Sequence, residues 1–158
     1  MKILFVCTGN TCRSPMCEAY FSKLCQAAGR SDITVGSAGT FACNGAAASP
    51  ESLAVMKEHG IDFADFASSA LTVELLKNAD LIVTMTPSHR LHIVTMLPEA
   101  RRKTYLLTEF SSRDKGRSVK DPFGGDKEVY SMCFEEMKEA LDNLFLDLDK
   151  IAGEKSST

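Results

Sequence analysis

The sequence lacks both a long hydrophobic stretch and an excess of charge of either sign. None of its apolar runs approaches the roughly 20 residues that cross a membrane, and the run after Met1 is too short for a secretory signal. The net charge is −3 over 158 residues, with no basic stripe interleaved with aromatic residues. We therefore expect a cytoplasmic protein that binds neither a membrane nor nucleic acid.

Internal repeats, linkers and low-complexity segments are also lacking, so nothing in the sequence divides the chain. A length of 158 residues with 44% hydrophobic residues is enough for one buried core. We expect a single domain over residues 1–152, followed by a polar tail at 153–158.

A set of metal ligands is missing although there are six cysteines. Cys12 and Cys17 have the spacing of a zinc pair, but no second cysteine pair accompanies them. His89 and His92 lie three apart on a predicted helix with no third ligand nearby, and we interpret both as surface residues. Neither a metal nor a cofactor is expected, and structural disulfides are not expected in an intracellular chain.

Short apolar runs alternate with helical patterns along the chain. The patterns predict strands at 2–6, 33–35, 80–85 and 103–107, and helices at 15–29, 50–60, about 72 onward, 87–97 and 126–151. Alternating strands and helices predict an α/β fold, a doubly wound four-stranded parallel sheet with helices on both faces.

The stretch from Cys7 to Pro15, CTGNTCRSP, joins the first strand to the first helix. A tight loop ending at a helix N-terminus binds anions, because its N–H groups point into the loop and the helix dipole adds positive potential. Arg13 adds a planar fork of donors that matches two oxygens of a phosphate. The same field favours a thiolate at Cys7. A cysteine nucleophile below a phosphate-binding loop predicts cysteine-dependent phosphoryl transfer.

The spacing Cys7-x5-Arg13-Ser14 resembles the signature of the cysteine phosphatases. With the other loop residues, the sequence resembles the low-molecular-weight protein tyrosine phosphatase family in particular. The resemblance extends over nearly the whole chain, because later segments lie where that family has its other motifs: Ser37-Ala38-Gly39-Thr40, Ala79-Asp80 and Asp121-Pro122-Phe123.

This resemblance implies hydrolysis of phosphorylated protein residues through a cysteinyl-phosphate intermediate. Cys7 would be the nucleophile, Arg13 would hold phosphate oxygens, and Asp121 would protonate the leaving group and then activate water. Ser14 would bond the thiolate, and Asn10 would brace a left-handed backbone. The implied phosphate-binding residues are Thr8, Gly9, Asn10, Thr11, Cys12, Arg13 and Ser14. The resemblance also implies that Cys12 can form a disulfide with an oxidised Cys7.

The residues around the expected cleft bear on the choice of substrate. Phe123 is interpreted as one wall; Phe41 is either a second wall or an anchor of its own loop. Thr11 stands where tyrosine phosphatases commonly have isoleucine, and together with Met85-Thr86 and 121–125 it resembles the bacterial protein arginine phosphatases of the family. We therefore expect phosphoarginine as the substrate, with phosphotyrosine as the alternative.

Two other classes of protein share this kind of loop. An arsenate reductase of the same fold needs further cysteines after the third strand, and residues 85–96 contain none. A phosphocysteine carrier of a sugar-uptake system has no use for a general acid such as Asp121. We therefore expect an enzyme that acts, as a monomer, on phosphorylated protein substrates.

Overall fold

The computed structural model describes residues 1–113 and 115–156. Within these residues the chain alternates between strands and helices, as the sequence predicts. The strands are β1 (Lys2–Cys7), β2 (Thr34–Gly39), β3 (Leu81–Thr84) and β4 (Thr104–Leu106). The helices are α1 (Arg13–Ala27), α2 (Pro50–Glu58), α3 (Val73–Asn78), α4 (Pro87–Met96) and α5 (Lys127–Ser156), with short 3₁₀ segments at Pro98–Lys103 and Leu107–Phe110.

The four strands form one parallel sheet in the order β2-β1-β3-β4. In this register Cys7 lies opposite Gly39, and Val6 lies opposite Thr84. The segments that follow β1, β2 and β3 therefore leave the sheet at the same edge. Open parallel sheets bind their ligands at this carboxyl edge, and the predicted fold class is confirmed.

Strand β1 is buried on both faces, which confirms the interpretation of its uninterrupted apolar run. Because successive side chains point to opposite faces, Ile3 and Phe5 join a large core with α1, α2 and α5. Leu4 and Val6 join a smaller core, whose other members include residues of α3 and α4. The helices thus cover both faces of β1, whose carboxyl end leads into the segment before α1.

Some predicted boundaries were wrong. Helix α1 starts at Arg13 rather than at Pro15, since a proline is tolerated within the first turn, where its missing N–H has no partner. Strand β2 continues to Gly39 because all six residues of β1 find partners along it. The two 3₁₀ segments beside β4 were not predicted, and β4 itself has only three residues.

Helix α5 is longer than its amphipathic pattern predicts. Asp126 caps it, its carboxylate accepting a hydrogen bond from the N–H of Val129 at 3.0 Å. The helix runs on to Ser156, so residues 153–156 of the expected tail are helical; residues 157–158 lie outside the described residues. Nowhere in residues 1–113 and 115–156 is there a helix both long and apolar enough to cross a membrane.

Candidate active site

The loop between β1 and α1 folds over the end of β2. Asn10 has a φ of 55°, which confirms the left-handed backbone expected at this position. Gly39 lies directly against the loop, and a Cβ atom there would be 2.4 Å from the carbonyl oxygen of Thr8. A glycine at the end of β2 is therefore required for the loop to pack this closely.

A hydrogen-bonded pair connects Cys7 to the start of α1. The Cys7 Sγ and the Ser14 Oγ are 2.9 Å apart, and both residues are buried. The side-chain amide of Asn10 donates to the same Ser14 oxygen at 2.8 Å. Since that oxygen accepts from Asn10, the Ser14 hydroxyl proton is free to be donated to the Cys7 sulfur.

The Asn10 amide also extends this network away from Cys7. Its nitrogen donates to the Ser37 Oγ at 2.9 Å, and Ser37 in turn donates to the Glu18 carboxylate at 2.9 Å. The Asn10 side-chain oxygen accepts from the N–H of Ser69 at 2.9 Å. Burial raises the pKa of Glu18, and the Ser37 hydrogen bond opposes that rise. Glu18 was not predicted as a site residue, because nothing in the local sequence indicates a partner nineteen residues away.

Arg13 is buried and is held from two directions. Its Nη1 donates to the carbonyl oxygen of Val119 at 2.9 Å, and its Nη2 donates to the Thr8 hydroxyl at 3.4 Å. Its Nε is buried and has no hydrogen-bond partner in the described part of the chain. A buried donor is costly to leave unpaired, so this N–H is suited to an oxygen of a bound oxyanion.

Asp121 lies at the mouth of the loop, with its side chain 51% exposed and one oxygen 3.6 Å from the Arg13 Nη2. Its other oxygen accepts from the N–H of Phe123 at 3.1 Å. The segment before it is anchored, because the N–H of Val119 donates to the carbonyl oxygen of Met85 at 2.8 Å. The fold therefore brings the predicted carboxylate to the predicted loop across more than 100 residues of sequence.

Two aromatic side chains stand at the surface near the loop. Phe41 and Phe123 are each 78% exposed, which is unusual for side chains of this size. The N–H of Phe41 donates to the Thr8 carbonyl oxygen at 3.0 Å, and its ring packs edge-on against His92 with the centroids 5.5 Å apart. Exposure argues against Phe41 as a buried anchor of its loop.

Thr11 is half-buried, with its Oγ1 3.7 Å from the Cys12 Sγ.

Cys12 is buried behind the loop. Its Sγ is 3.2 Å from the Tyr130 hydroxyl and 3.7 Å from the Ser49 Oγ. Burial and the hydrogen bond to Cys12 raise the pKa of Tyr130 to about 12, so this hydroxyl stays protonated near neutral pH. All six cysteines are free thiols. The disulfide between Cys7 and Cys12 stays a prediction.

His89 is not a surface residue, and the expectation from sequence was wrong. It is only 5% exposed, and its Nε2 is 2.8 Å from the Thr8 hydroxyl oxygen. Burial, reinforced by the nearby Arg13 charge, lowers its pKa to about 4, so the ring is neutral at pH 7. The sequence contains a signal for this position: His89 lies in the first turn after β3, at the sheet edge where the loop lies.

The loop places a cysteine in contact with a serine hydroxyl and leaves a buried arginine donor for an oxyanion. This arrangement accounts for the chemistry of one class of enzyme. Fold and site together define a cysteine-dependent phosphatase. Residues 2–155 match the family model of the low molecular weight phosphotyrosine protein phosphatases, and the chain belongs to that family.

Relatives within the family cover nearly the whole chain. A protein-arginine-phosphatase of Bacillus subtilis is 39% identical over 95% of this chain and 98% of its own. A protein-arginine-phosphatase of Geobacillus stearothermophilus is 43% identical over 90% and 93%. The low molecular weight protein-tyrosine-phosphatase PtpB of Staphylococcus haemolyticus is 39% identical over 87% and 92%.

One similar solved structure is that of an arginine phosphatase with a phosphorylated residue in its active site. It is the cysteine-to-serine mutant of the YwlE arginine phosphatase with a phosphorylated active site serine. It superposes with a TM-score of 0.88 at 39% identity, covering 95% of this chain and 97% of that one.

Proposed function

We propose that this protein hydrolyses phosphoarginine in protein substrates. The observation that carries the proposal is the similarity, at 39% and 43% identity over nearly full length, to two protein-arginine-phosphatases. Thr11 supports it, because its hydroxyl can hydrogen-bond a polar guanidinium or a water beside it, whereas an apolar side chain there could not.

In the first step the Cys7 thiolate attacks phosphorus, and the bond from phosphorus to the guanidinium nitrogen breaks. Asp121 donates a proton to the departing nitrogen, which leaves as part of an intact arginine side chain. The unused Arg13 Nε and the N–H groups of the loop hold the phosphoryl oxygens as charge builds up on them. Fixed donors of this kind stabilise the transition state without reorganising.

In the second step a water molecule attacks the cysteinyl-phosphate and releases inorganic phosphate. Asp121, now ionised, accepts the proton of that water. The Ser14 hydroxyl, 2.9 Å from the Cys7 sulfur, stabilises the thiolate as it departs. The phosphorylated serine of the YwlE mutant supports a covalent intermediate at the position equivalent to Cys7.

Phosphotyrosine is the second candidate substrate. The exposed rings of Phe41 and Phe123 would pack against a phenol ring, and one relative at 39% identity is a protein-tyrosine-phosphatase. These aromatic walls would equally flank the stem of an arginine side chain, so they favour neither substrate strongly. The proposal for phosphoarginine therefore depends on Thr11 and on the two arginine phosphatases.

The test is a direct comparison of two peptides of the same sequence, one phosphorylated on arginine and the other on tyrosine. Purified protein is expected to give a higher kcat/KM for the phosphoarginine peptide. A higher kcat/KM for the phosphotyrosine peptide would overturn the substrate assignment and keep the enzyme class. Turnover of neither peptide would contradict both.

A further inference from the structure

His89 is a buried polar side chain at the site that the two chemical steps do not use. It lies in the first turn of α4, where the Thr86 hydroxyl caps the helix by accepting from the N–H of His89 at 3.3 Å. Its Nε2 contacts the Thr8 hydroxyl at 2.8 Å, and its buried Nδ1 has no partner among the described residues. The ring is therefore directed at Thr8 by its one side-chain hydrogen bond in the described structure.

Thr8 in turn contacts the guanidinium that faces the loop. Its Oγ1 accepts from the Arg13 Nη2 at 3.4 Å, while Val119 holds the Arg13 Nη1 from the opposite side. A hydroxyl has one proton and two lone pairs, so Thr8 can bond His89 and Arg13 at once. The three side chains form a continuous chain of contacts that ends at Arg13, whose Nε is left for phosphate.

We propose that His89 is a positioning residue for phosphate: it holds the Thr8 hydroxyl where that hydroxyl fixes the Arg13 guanidinium. Arginine binds phosphate best when two of its nitrogens present donors in a fixed plane. A Thr8 side chain free to rotate would leave the Nη2 end of that plane unsupported. This inference rests on the proposed function only in taking phosphate as the ligand of the loop.

The charges around the ring keep it in the form that this role requires. Arg13, Asp121 and His92 are the charged or titratable groups that face it, and burial with the Arg13 charge outweighs Asp121. A neutral imidazole has one donor and one acceptor, so it can pair with Thr8 while Thr8 accepts from Arg13. A protonated ring would put a second cation beside Arg13 and Thr8.

Two substitutions separate the hydrogen bond from the bulk of the ring. The amide group of His89→Gln lies about as far from the backbone as the Nε2 of the ring. The shorter side chain of His89→Asn reaches only about as far as Nδ1. We expect His89→Asn to weaken the binding of inorganic phosphate by about threefold to tenfold, as for the loss of one hydrogen bond. His89→Gln is expected to retain most of the affinity. Titration calorimetry with inorganic phosphate measures both without needing turnover.

Thr8→Val tests the same link without touching the ring, and covers the case in which His89→Asn fails to fold. It is expected to weaken phosphate binding about as much as His89→Asn, and the double variant to be no weaker than either. The control is His59→Gln at the C-terminal end of α2, where the His59 Nε2 is 3.6 Å from the Glu135 carboxylate and none of its partners in the described residues belongs to the site. This variant is expected to bind phosphate as the unmodified protein does.

Three outcomes would overturn the proposal. They are unchanged phosphate affinity in Thr8→Val, equal losses in His89→Gln and His89→Asn, and additive losses in the double variant. If neither peptide is turned over while the phosphate affinities follow the expected pattern, the proposed function fails and the role of His89 stands.

Discussion

The floor and the rim of the active site are built differently. The floor consists of Cys7, Asn10, Arg13, Ser14 and Ser37, all of which are buried and joined by side-chain hydrogen bonds within the floor or to its neighbours. The rim consists of Thr11, Phe41, Asp121 and Phe123, which are half-buried or exposed and make few side-chain contacts.

This difference separates two tasks. A buried set of groups joined by hydrogen bonds cannot change without leaving a polar atom unsatisfied, so the floor suits the chemical step that every substrate shares. An exposed side chain can change at little cost to folding, so the rim suits the choice between substrates. Asp121 belongs to the rim by exposure, yet its two oxygens lie 3.6 Å from the Arg13 Nη2 and 3.1 Å from the Phe123 N.

The largest effect is expected from Cys7→Ser, which replaces the proposed nucleophile within the floor. Turnover of either phosphopeptide should fall below detection, because a serine hydroxyl is a far weaker nucleophile than a thiolate. Phosphate binding, measured by calorimetry, should be largely retained. Turnover near that of the unmodified protein would show that Cys7 is not the nucleophile.

Asp121→Asn should come next. The loss should be roughly 10²–10⁴-fold for esters with poor leaving groups, the usual contribution of a general acid. Esters whose leaving group is already a stable anion should lose less, and the measurement is the ratio of the two rates. Asp147 is an exposed residue of α5, and Asp147→Asn is the control that should leave both rates unchanged. Equal losses with both kinds of ester would mean that Asp121 has a structural role only.

Cys12→Ser tests whether Cys12, buried behind the loop, protects Cys7 from irreversible oxidation. After brief treatment with peroxide, the unmodified protein should regain activity on addition of thiol, through reduction of a disulfide between Cys7 and Cys12. The variant should regain several times less, since its oxidised Cys7 has no neighbouring thiol and proceeds to irreversible forms. Equal recovery in the two proteins would exclude this disulfide as the protecting species.

A further prediction concerns the pH dependence of folding. His89 has a pKa of about 4 in the folded protein and 6.5 without the fold, so the unfolded chain binds more protons between these values. The contribution of the neutral ring to the free energy of unfolding is therefore fully present above pH 6.5 and is lost as the pH falls towards 4. Between pH 7 and 5 the unmodified protein should lose about 2 kcal/mol more unfolding free energy than His89→Gln. Parallel losses in urea unfolding would contradict the buried neutral ring.

The sequence predicted the residues of the floor better than Glu18 and His89, the residues that hold parts of the site in place. Cys7, Arg13 and Ser14 are close in sequence around a strand and a helix start, so local patterns were enough to bring them together. Asp121 was found through a resemblance to known phosphatases, since no local rule joins it to Arg13.

The roles of Glu18 and His89 were missed because they depend on tertiary contacts. Glu18 meets Ser37 only once α1 has packed beside β2, and each residue alone is an ordinary polar residue. His89 was assigned to the surface because the helical pattern gave its spacing but not the direction of its ring. The length of β2 was also underestimated, because its small residues have weak strand preference and depend on pairing with β1.

The most direct test of the division between floor and rim compares Thr11→Ile with Ser14→Ala. The measurement is the ratio of kcat/KM for the phosphoarginine peptide to kcat/KM for the phosphotyrosine peptide. Thr11→Ile should lower this ratio about tenfold, equivalent to about 1.4 kcal/mol, by removing a hydroxyl from the rim. Ser14→Ala should lower both rates and leave the ratio unchanged. A ratio that moves with Ser14→Ala and not with Thr11→Ile would contradict the account.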